Sequence, residues 1–191
     1  MSFGDLTALS NINVDKQSKY FTSKDGVLFD KSKKLLIQYP SGKKGSYSIP
    51  DSVEIIEVGA FSNCINLTDI FIPNSVEKIG SHAFQHCSIL SKVILPKKVS
   101  IIGEGTFQMC SNLTYVVFPS SIAEIGDRAF LNCESLTSAY FLGNAPDLGY
   151  LTFFGVDDRF ICYYLKSAKG FTNPWNGFTT KVFNGKVKVR Q

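Results

Sequence analysis

Five cysteines and two histidines are the residue types in this 191-residue chain that could ligate a metal ion or form disulfides. Four of the cysteines recur at a constant 23-residue interval, at Cys64, Cys87, Cys110 and Cys133. Zinc sites favour paired C-x-x-C spacing instead, so that four ligands converge on one point. One cysteine per interval therefore predicts a ladder of small buried residues, with Cys162 as a further core residue. No metal and no cofactor is expected.

The two histidines, His82 and His86, are separated by a spacing that would place them on one face of a true helix. They flank Phe84 in a segment predicted to make a single turn, and no carboxylate accompanies them at a fixed spacing. No Ser/His/Asp or Cys/His arrangement stands outside the periodic pattern. The sequence therefore predicts no catalytic residue and no enzyme. A carbohydrate or metal site in the irregular ends of the chain is the enzymatic alternative.

The 23-residue interval governs most of the chain and predicts its architecture. Prolines, phenylalanines and leucines each keep it, at Pro50, Pro73, Pro96 and Pro119; Phe61, Phe84, Phe107, Phe130 and Phe153; and Leu67, Leu90, Leu113 and Leu136. Several ladders in one register indicate a repeat solenoid, in which stacked units place like residues against like. One unit alone buries too little apolar surface to offset its ordering entropy, so stability must come from neighbouring units.

Each unit reads C-x-x-L-x-x-[IV]-x-[ILF]-P-x-x-[VI]-x-x-I-G-x-x-[AT]-F-x-x. The segment L-x-x-[IV]-x-[ILF] alternates as a short strand does, so Leu67, Ile70 and Ile72 are expected to point inward. Proline then ends the strand, and V-x-x-I forms a second short extended piece. Glycines such as Gly80 are expected to permit the next bend, and the [AT]-F-x-x-C piece to return as one helical or 3₁₀ turn.

The chain divides by pattern into four parts of one domain spanning residues 1–191. Residues 1–19 are predicted to hold a partial N-terminal repeat, with a strand at 6–14. Residues 20–47 contain two apolar runs with an Asp-Gly turn before them, which predicts a β-hairpin insertion. Residues 48–136 are regular repeats. Residues 137–191 are a degenerate last repeat and a C-terminal cap, with a closing strand at 160–165 and a turn at 172–178.

The repeat unit, together with DGVLF…L-x-x-YP near the N-terminus and GNAP…WNGF near the C-terminus, closely resembles the BspA-like leucine-rich repeat proteins. The resemblance covers nearly the whole chain. It implies a mainly β, right-handed leucine-rich repeat solenoid with a parallel sheet on its concave side. It also implies an adhesin-like or surface-antigen-like protein that binds a host extracellular or cell-surface protein.

Charge and hydropathy exclude several other classes of protein. Residues 1–47 and 143–191 each carry a net charge of +4, whereas residues 48–142 carry −4. No continuous cationic surface for nucleic acid is implied. No apolar run is long enough to span a membrane, and no secretory signal is visible at the N-terminus. Localisation is therefore unknown from the residues, while the resemblance implies the cell surface or secretion.

The outward-facing residues of the predicted concave strands form the candidate site. Strand alternation is expected to expose one row of apolar and aromatic side chains with a mixed row beside it. We call these residues the stripe: Asp69, Phe71, Lys92, Ile94, Tyr115, Val117, Ser138 and Tyr140. Solenoids bind partners on such surfaces, and interface cores are enriched in aromatic residues. Ordinary β-propensity on a solvated face is the alternative interpretation.

The sequence predicts a non-catalytic protein–protein interaction module. Its partner is a protein, with no nucleic acid and no membrane span. Two alternatives stay open: an intracellular scaffold, and self-association through a strand edge left by the incomplete first repeat.

Overall fold

The structure, a computed structural model, describes residues 8–186. These residues form fifteen β-strands and no helix. In chain order the strands are β1 (Phe21–Lys24), β2 (Val27–Asp30), β3 (Leu35–Gln38), β4 (Gly45–Ser48), β5 (Ile55–Ile56), β6 (Leu67–Phe71), β7 (Lys78–Ile79), β8 (Lys92–Ile94), β9 (Ile101–Ile102), β10 (Tyr115–Phe118), β11 (Glu124–Ile125), β12 (Ser138–Phe141), β13 (Asp147–Leu148), β14 (Ile161–Leu165) and β15 (Thr179–Phe183).

The strands stack into a parallel β-solenoid whose coils each contribute one long and one short strand. The long strands form a parallel sheet in the order β15-β14-β12-β10-β8, and β4 pairs with β6 in a separate sheet. The short strands form the rows β3-β5-β7 and β13-β11-β9. The long-strand register keeps the 23-residue step, since Val116 lies opposite Val93 and Ala139. The predicted solenoid with a parallel sheet is thus confirmed.

The phenylalanine ladder forms the centre of the core. Phe61, Phe84, Phe107, Phe130 and Phe153 stack in one column, with ring centroids 4.9–5.2 Å apart. All five side chains are buried. Because burying a phenylalanine is worth about 1.5–3 kcal/mol, the column stabilises each coil through the coils above and below it.

The predicted helical or 3₁₀ turn is wrong, because a run of hydrogen-bonded turns closes each coil instead. Left-handed backbone occurs at both ends of the run, with φ of 56° at His82 and 61° at His86, and such residues cannot continue a right-handed helix. Alternate N–H groups of the run then donate to the next coil, as Phe84 N does to Thr106 O at 2.8 Å. The turns therefore form a third hydrogen-bonded column, which we call the turn column.

The repeated glycine has a different role from the predicted bend. Gly80 and its equivalents do not have positive φ. A Cβ on Gly80 would lie 2.5 Å from the backbone nitrogen of Val58, and one on Gly149 would lie 2.5 Å from that of Asp127. Glycine is therefore needed because the backbones of successive coils approach closely at this point.

An antiparallel meander covers the N-terminal end of the array. Strands β1, β2 and β3 pair in order, so the predicted hairpin is present with one further strand. Asp25 and Gly26 connect β1 to β2 with φ of 51° and 77°, the conformation that a two-residue hairpin turn requires. Residues 8–14 form no strand, which corrects that part of the prediction for 6–14; residues 6 and 7 lie outside the described part.

Tyr39 continues the phenylalanine ladder beyond the first regular coil. Its ring stacks on Phe61 at 5.1 Å, and its N–H donates to Ala60 O at 2.8 Å, as a turn-column residue would. The N-terminal end of the turn column is therefore covered.

Two parallel strands and an aromatic cluster close the C-terminal end. The predicted closing strand is β14, and β15, which the sequence does not predict, adds to it in parallel. Residues 172–178 form the predicted turn, with an isolated bridge between Trp175 and Phe178. Phe178 and Phe160 contact the end of the ladder at Phe153, with centroids 5.6 and 5.0 Å away.

Both strand rows are interrupted at the same level of the array. Within residues 8–186, no strand ladder joins β6 to β8 or β7 to β9. The turn column continues across this level, because His82 N donates to Glu104 O at 2.9 Å and His86 N to Gln108 O at 2.8 Å. We call this level the break.

Candidate binding surface

The long strands place the stripe in two adjacent rows. Phe71 is the last residue of β6, and Ile94, Val117 and Tyr140 occupy the same register position on β8, β10 and β12. The second row has Lys92, Tyr115 and Ser138 aligned two residues earlier, with Asp69 on β6. The strand register therefore aligns six of these residues on β8, β10 and β12, whereas Asp69 and Phe71 lie on β6, which no ladder joins to β8 within residues 8–186.

The apolar row is unevenly exposed. Phe71 is 61% exposed and Ile94 is 42% exposed, whereas Val117 is only 6% exposed. The expected exposure of Val117 is therefore wrong. Val117 lies between Ile94 and Tyr140 on the flanking strands, and both have larger side chains that leave little of the valine exposed. Phe71 and Ile94 instead lie on the two sides of the break.

An aromatic cluster occupies the other end of the stripe. Tyr140 meets Tyr115 edge-on at 6.3 Å, stacks on Tyr163 at 5.0 Å and contacts Phe183 at 5.4 Å. Sequence reasoning does not identify Tyr163 and Phe183. The 23-residue step from Tyr140 to Tyr163 could have found the first of them. Phe183 gives no such signal, because β15 follows β14 without the regular step.

On the face that carries the stripe, the Asp69–Lys92 pair crosses the break. The Lys92 ammonium lies 3.8 Å from a carboxylate oxygen of Asp69, and both side chains remain partly exposed. Such a pair contributes about 0–1 kcal/mol, so it orients the two groups more than it stabilises the fold. Partial burial, together with Tyr140 and Asp69, raises the pKa of Tyr115, whose hydroxyl therefore stays a hydrogen-bond donor at neutral pH.

A groove runs along the break on this face. Its lining combines four residues of the stripe with the neighbouring β4 and Ile70, and the full set is Ser46, Tyr47, Ser48, Asp69, Ile70, Phe71, Lys92 and Ile94. Ser48 lies opposite Phe71 in the β4–β6 ladder, so the row continues to the N-terminal side. Apolar side chains, hydroxyls and one ion pair thus meet where the strand ladder is interrupted.

The two histidine side chains have different surroundings. Nδ1 of His86 lies 3.1 Å from Oδ1 of Asn63, one coil earlier, and Nδ1 of His82 is buried without a hydrogen-bond partner. Among residues 8–186, no three His, Cys, Asp or Glu side chains converge as metal ligands.

All five cysteines are free and buried, as the cysteine ladder predicts. Burial and the neighbouring cysteines Cys110 and Cys64 raise the pKa of the Cys87 thiol well above its usual range. Burial alone raises the pKa of Cys162 to about 12. A nucleophilic cysteine needs a lowered pKa and access to solvent, and Cys87 and Cys162 meet neither requirement.

The described residues contain no helix of the length and apolarity that crossing a membrane requires.

The stacked parallel strands, the leucine and phenylalanine columns and the 23-residue register together define a leucine-rich repeat solenoid. A scan of family models matches the BspA type leucine rich repeat region in six copies over residues 39–157. The chain belongs to the BspA-type leucine-rich repeat family. The leucine-rich repeat fold supports a protein-interaction repeat module.

Solved structures of bacterial repeat proteins resemble the chain. A leucine rich cell surface protein from Faecalibacterium prausnitzii is 34% identical with a TM-score of 0.68, covering 72% of this chain and 37% of that one. The pneumococcal vaccine antigen PcpA is 21% identical with a TM-score of 0.70, covering 95% and 51%. The leucine rich repeat protein of T. pallidum is 24% identical with a TM-score of 0.62, covering 78% and 71%. The last two show the fold alone.

The chain spans well under two thirds of the first two of these structures, at 37% and 51% of their lengths. A search of the curated proteins found no match.

Proposed function

We propose that the protein is a non-catalytic binding module of the cell surface, adhesin-like or surface-antigen-like, whose stripe contacts a host extracellular or cell-surface protein. The observation that carries this proposal is the exposure of Phe71 and Ile94 beside the interrupted ladder. Exposed apolar side chains next to a groove supply the desolvated centre that protein interfaces use. The likeness to a bacterial cell surface protein of 34% identity supports the location.

The groove supplies both kinds of contact that a protein partner needs. Phe71 and Ile94 offer apolar area, while the Asp69–Lys92 pair and the hydroxyls of Ser46 and Ser48 offer hydrogen bonds at its edge. At the other end, Tyr140 and Tyr163 present aromatic surface that loses little conformational entropy on binding.

The test is a charge substitution on the stripe with a matched control elsewhere. The stripe variant carries Phe71→Asp and Ile94→Asp; the control carries Val58→Asp and Ile101→Asp, two residues that are 59% and 52% exposed away from the stripe. Binding of labelled protein to cultured epithelial cells is measured by flow cytometry. We expect the stripe variant to lose about tenfold or more in affinity and the control to keep its affinity.

Circular dichroism and thermal melting establish that both variants fold. A folded stripe variant that binds as well as the unmodified protein contradicts the stripe as the site. Absence of the protein from the surface of intact source cells, with abundant protein inside, contradicts the adhesive role and favours the intracellular scaffold.

A further inference from the structure

Each of the first four turn segments donates three backbone hydrogen bonds to the coil that follows it. The N–H groups of Arg128, Phe130 and Asn132 bind carbonyl oxygens of the next coil at 2.8–2.9 Å. Equivalent triplets occur one, two and three repeats earlier in the chain. The turn column is therefore directional: its donors always face the C-terminal side.

The last turn segment, residues 151–155, keeps the donors, but no further turn segment of the column follows it among the described residues. The equivalent groups are the N–H groups of Leu151, Phe153 and Gly155, and none of them has an acceptor within residues 8–186. Leu151 and Gly155 have positive φ of 54° and 73°, as their counterparts in the interior coils do. The edge is therefore already in the conformation that donates three parallel bonds.

A groove of about 520 Å³ lies along this edge, between the last turn segment and the loop at 176–179. Phe154, which is 61% exposed, forms part of its wall. Asp157 and Asp158 also line it, and no lining residue of the described chain is basic. Arg159 binds Asp157 through two bonds of 2.7–2.8 Å, so Asp158, with no ion-pair partner among residues 8–186, supplies the free charge.

Two occupants fit this edge poorly. An inorganic anion would meet the carboxylates of Asp157 and Asp158. A second copy stacked head to tail would have to offer the carbonyl oxygens of its first coil. There, Ala60 O already accepts from Tyr39 N at 2.8 Å and from Gln38 Nε2 at 3.2 Å. The central acceptor of that row is therefore already occupied, which disfavours a head-to-tail stack.

We propose that the edge at residues 151–155 binds a basic peptide segment of another protein, which presents a row of carbonyl oxygens to it. The N–H groups of Leu151, Phe153 and Gly155 take the carbonyl oxygens, and Asp158 pairs with a lysine or arginine of the peptide. Phe154 contacts an apolar side chain. Main-chain bonds give the affinity in such edge additions, and the side chains give the specificity. This site does not depend on the stripe.

The test uses a peptide whose backbone accepts this pattern of bonds within the fold. The probe is residues 126–133 of the chain with serine in place of Cys133 and one lysine added at each end. In the intact protein, this segment accepts the same three bonds from the preceding coil at 2.8–2.9 Å. Amide hydrogen exchange by ¹⁵N NMR reports directly on the donors. In the free protein the amides of Leu151, Phe153 and Gly155 should exchange faster than those of the interior triplet at residues 128–132.

Saturating peptide should slow exchange of the three edge amides about tenfold or more and shift their resonances.

Asp158→Lys should weaken peptide binding about tenfold, whereas Asp51→Lys, a change at an exposed aspartate of the other end, should leave it unchanged. A peptide with glutamate at each end should bind more weakly. The proposal is overturned if the edge amides are already protected in the free protein, if the peptide leaves them unshifted, or if both aspartate variants weaken binding equally.

Discussion

The thiol of Cys110 donates a hydrogen bond across 3.1 Å to the carbonyl oxygen of Phe84, which belongs to the preceding coil. Cys87 and Cys133 repeat the contact with Phe61 and Phe107, at 3.2 and 3.1 Å. The cysteine column therefore links successive coils besides filling the core.

Removing one of these thiols should lower the free energy of unfolding more than removing a buried thiol that makes no such hydrogen bond. Cys162 is equally buried, and its thiol has no hydrogen bond among the described residues. We expect Cys110→Ala to lower the free energy of unfolding by about 0.5–1 kcal/mol more than Cys162→Ala does. Urea titration of both variants measures the difference, and equal losses would mean that the thiol bond contributes nothing.

The phenylalanine ladder predicts a large difference between two substitutions of the same kind. Phe107→Ala removes a fully buried ring from the middle of the column and should cost about 3–5 kcal/mol. Phe71→Ala removes an exposed ring and should cost less than about 1 kcal/mol. Chemical denaturation gives both values. A loss below about 1 kcal/mol for Phe107→Ala would show that the column is not the core.

Two left-handed glycines at equivalent positions should respond differently to alanine. At Gly59 the nearest atom to a new Cβ is Ser62 Cβ at 3.9 Å, so Gly59→Ala should cost about 1–2 kcal/mol from its φ of +66° alone. At Gly105, with φ of +57°, the Cβ would lie 2.3 Å from Nδ1 of His82. Gly105→Ala should therefore cost at least about 1 kcal/mol more, because the imidazole must move.

The contact between Gly105 and His82 can be isolated with a double-mutant cycle. In a His82→Ala background, the cost of Gly105→Ala should fall towards that of Gly59→Ala, with only the flexible Gln108 side chain left in close contact at 3.1 Å. If Gly105→Ala lowers the free energy of unfolding equally in both backgrounds, the contact with the imidazole is not the cause of the loss.

Stability should decline at alkaline pH. Burial raises the pKa of Cys162 from 9.0 to about 12, and burial with nearby Cys64 and Cys87 raises the pKa of Tyr39 from 10.0 to about 12. The unfolded chain loses these protons as the pH passes 9 and 10, while the folded chain retains them. Stability is therefore complete below pH 9 and falls between pH 9 and 12, by about 1.4 kcal/mol per pH unit for each such group.

Urea midpoints measured from pH 8 to 11 check this expectation. Cys162→Ala should reduce the alkaline slope, since it removes one of the titrating groups. A midpoint that stays constant to pH 11 would contradict the burial of these groups.

The periodic part of the fold could be predicted from the sequence because each ladder reports one direct contact between coils. Phe84 and Phe107, for example, recur at the same step and stack. Sequence periodicity cannot reveal which contact a repeated residue makes. The repeated glycine predicts a bend at Gly80. In the structure, glycine is needed there because the backbones of successive coils approach closely.

The predictions that failed concern contacts between neighbouring coils, which the sequence of a single repeat unit does not show. Val117 is buried because of what flanks it on two other strands. The break between β6 and β8 cannot be recognised in the sequence, because Leu67 and Leu90 on its two sides keep the 23-residue step. The stripe could thus be located from alternation, whereas its most exposed part could not.

All the columns share the 23-residue step, and this restricts the number of residues by which the solenoid can lengthen or shorten. Deleting or duplicating one complete 23-residue unit, such as the stretch from Phe84 to Thr106, keeps the phenylalanine, cysteine and glycine columns in register. An insertion of another size within a paired strand or a turn segment moves the residues beyond it out of these columns, unless the extra residues form a loop at the surface. Engineered variants that lengthen the stacked core itself are therefore expected to fold best when the added segment is a whole unit.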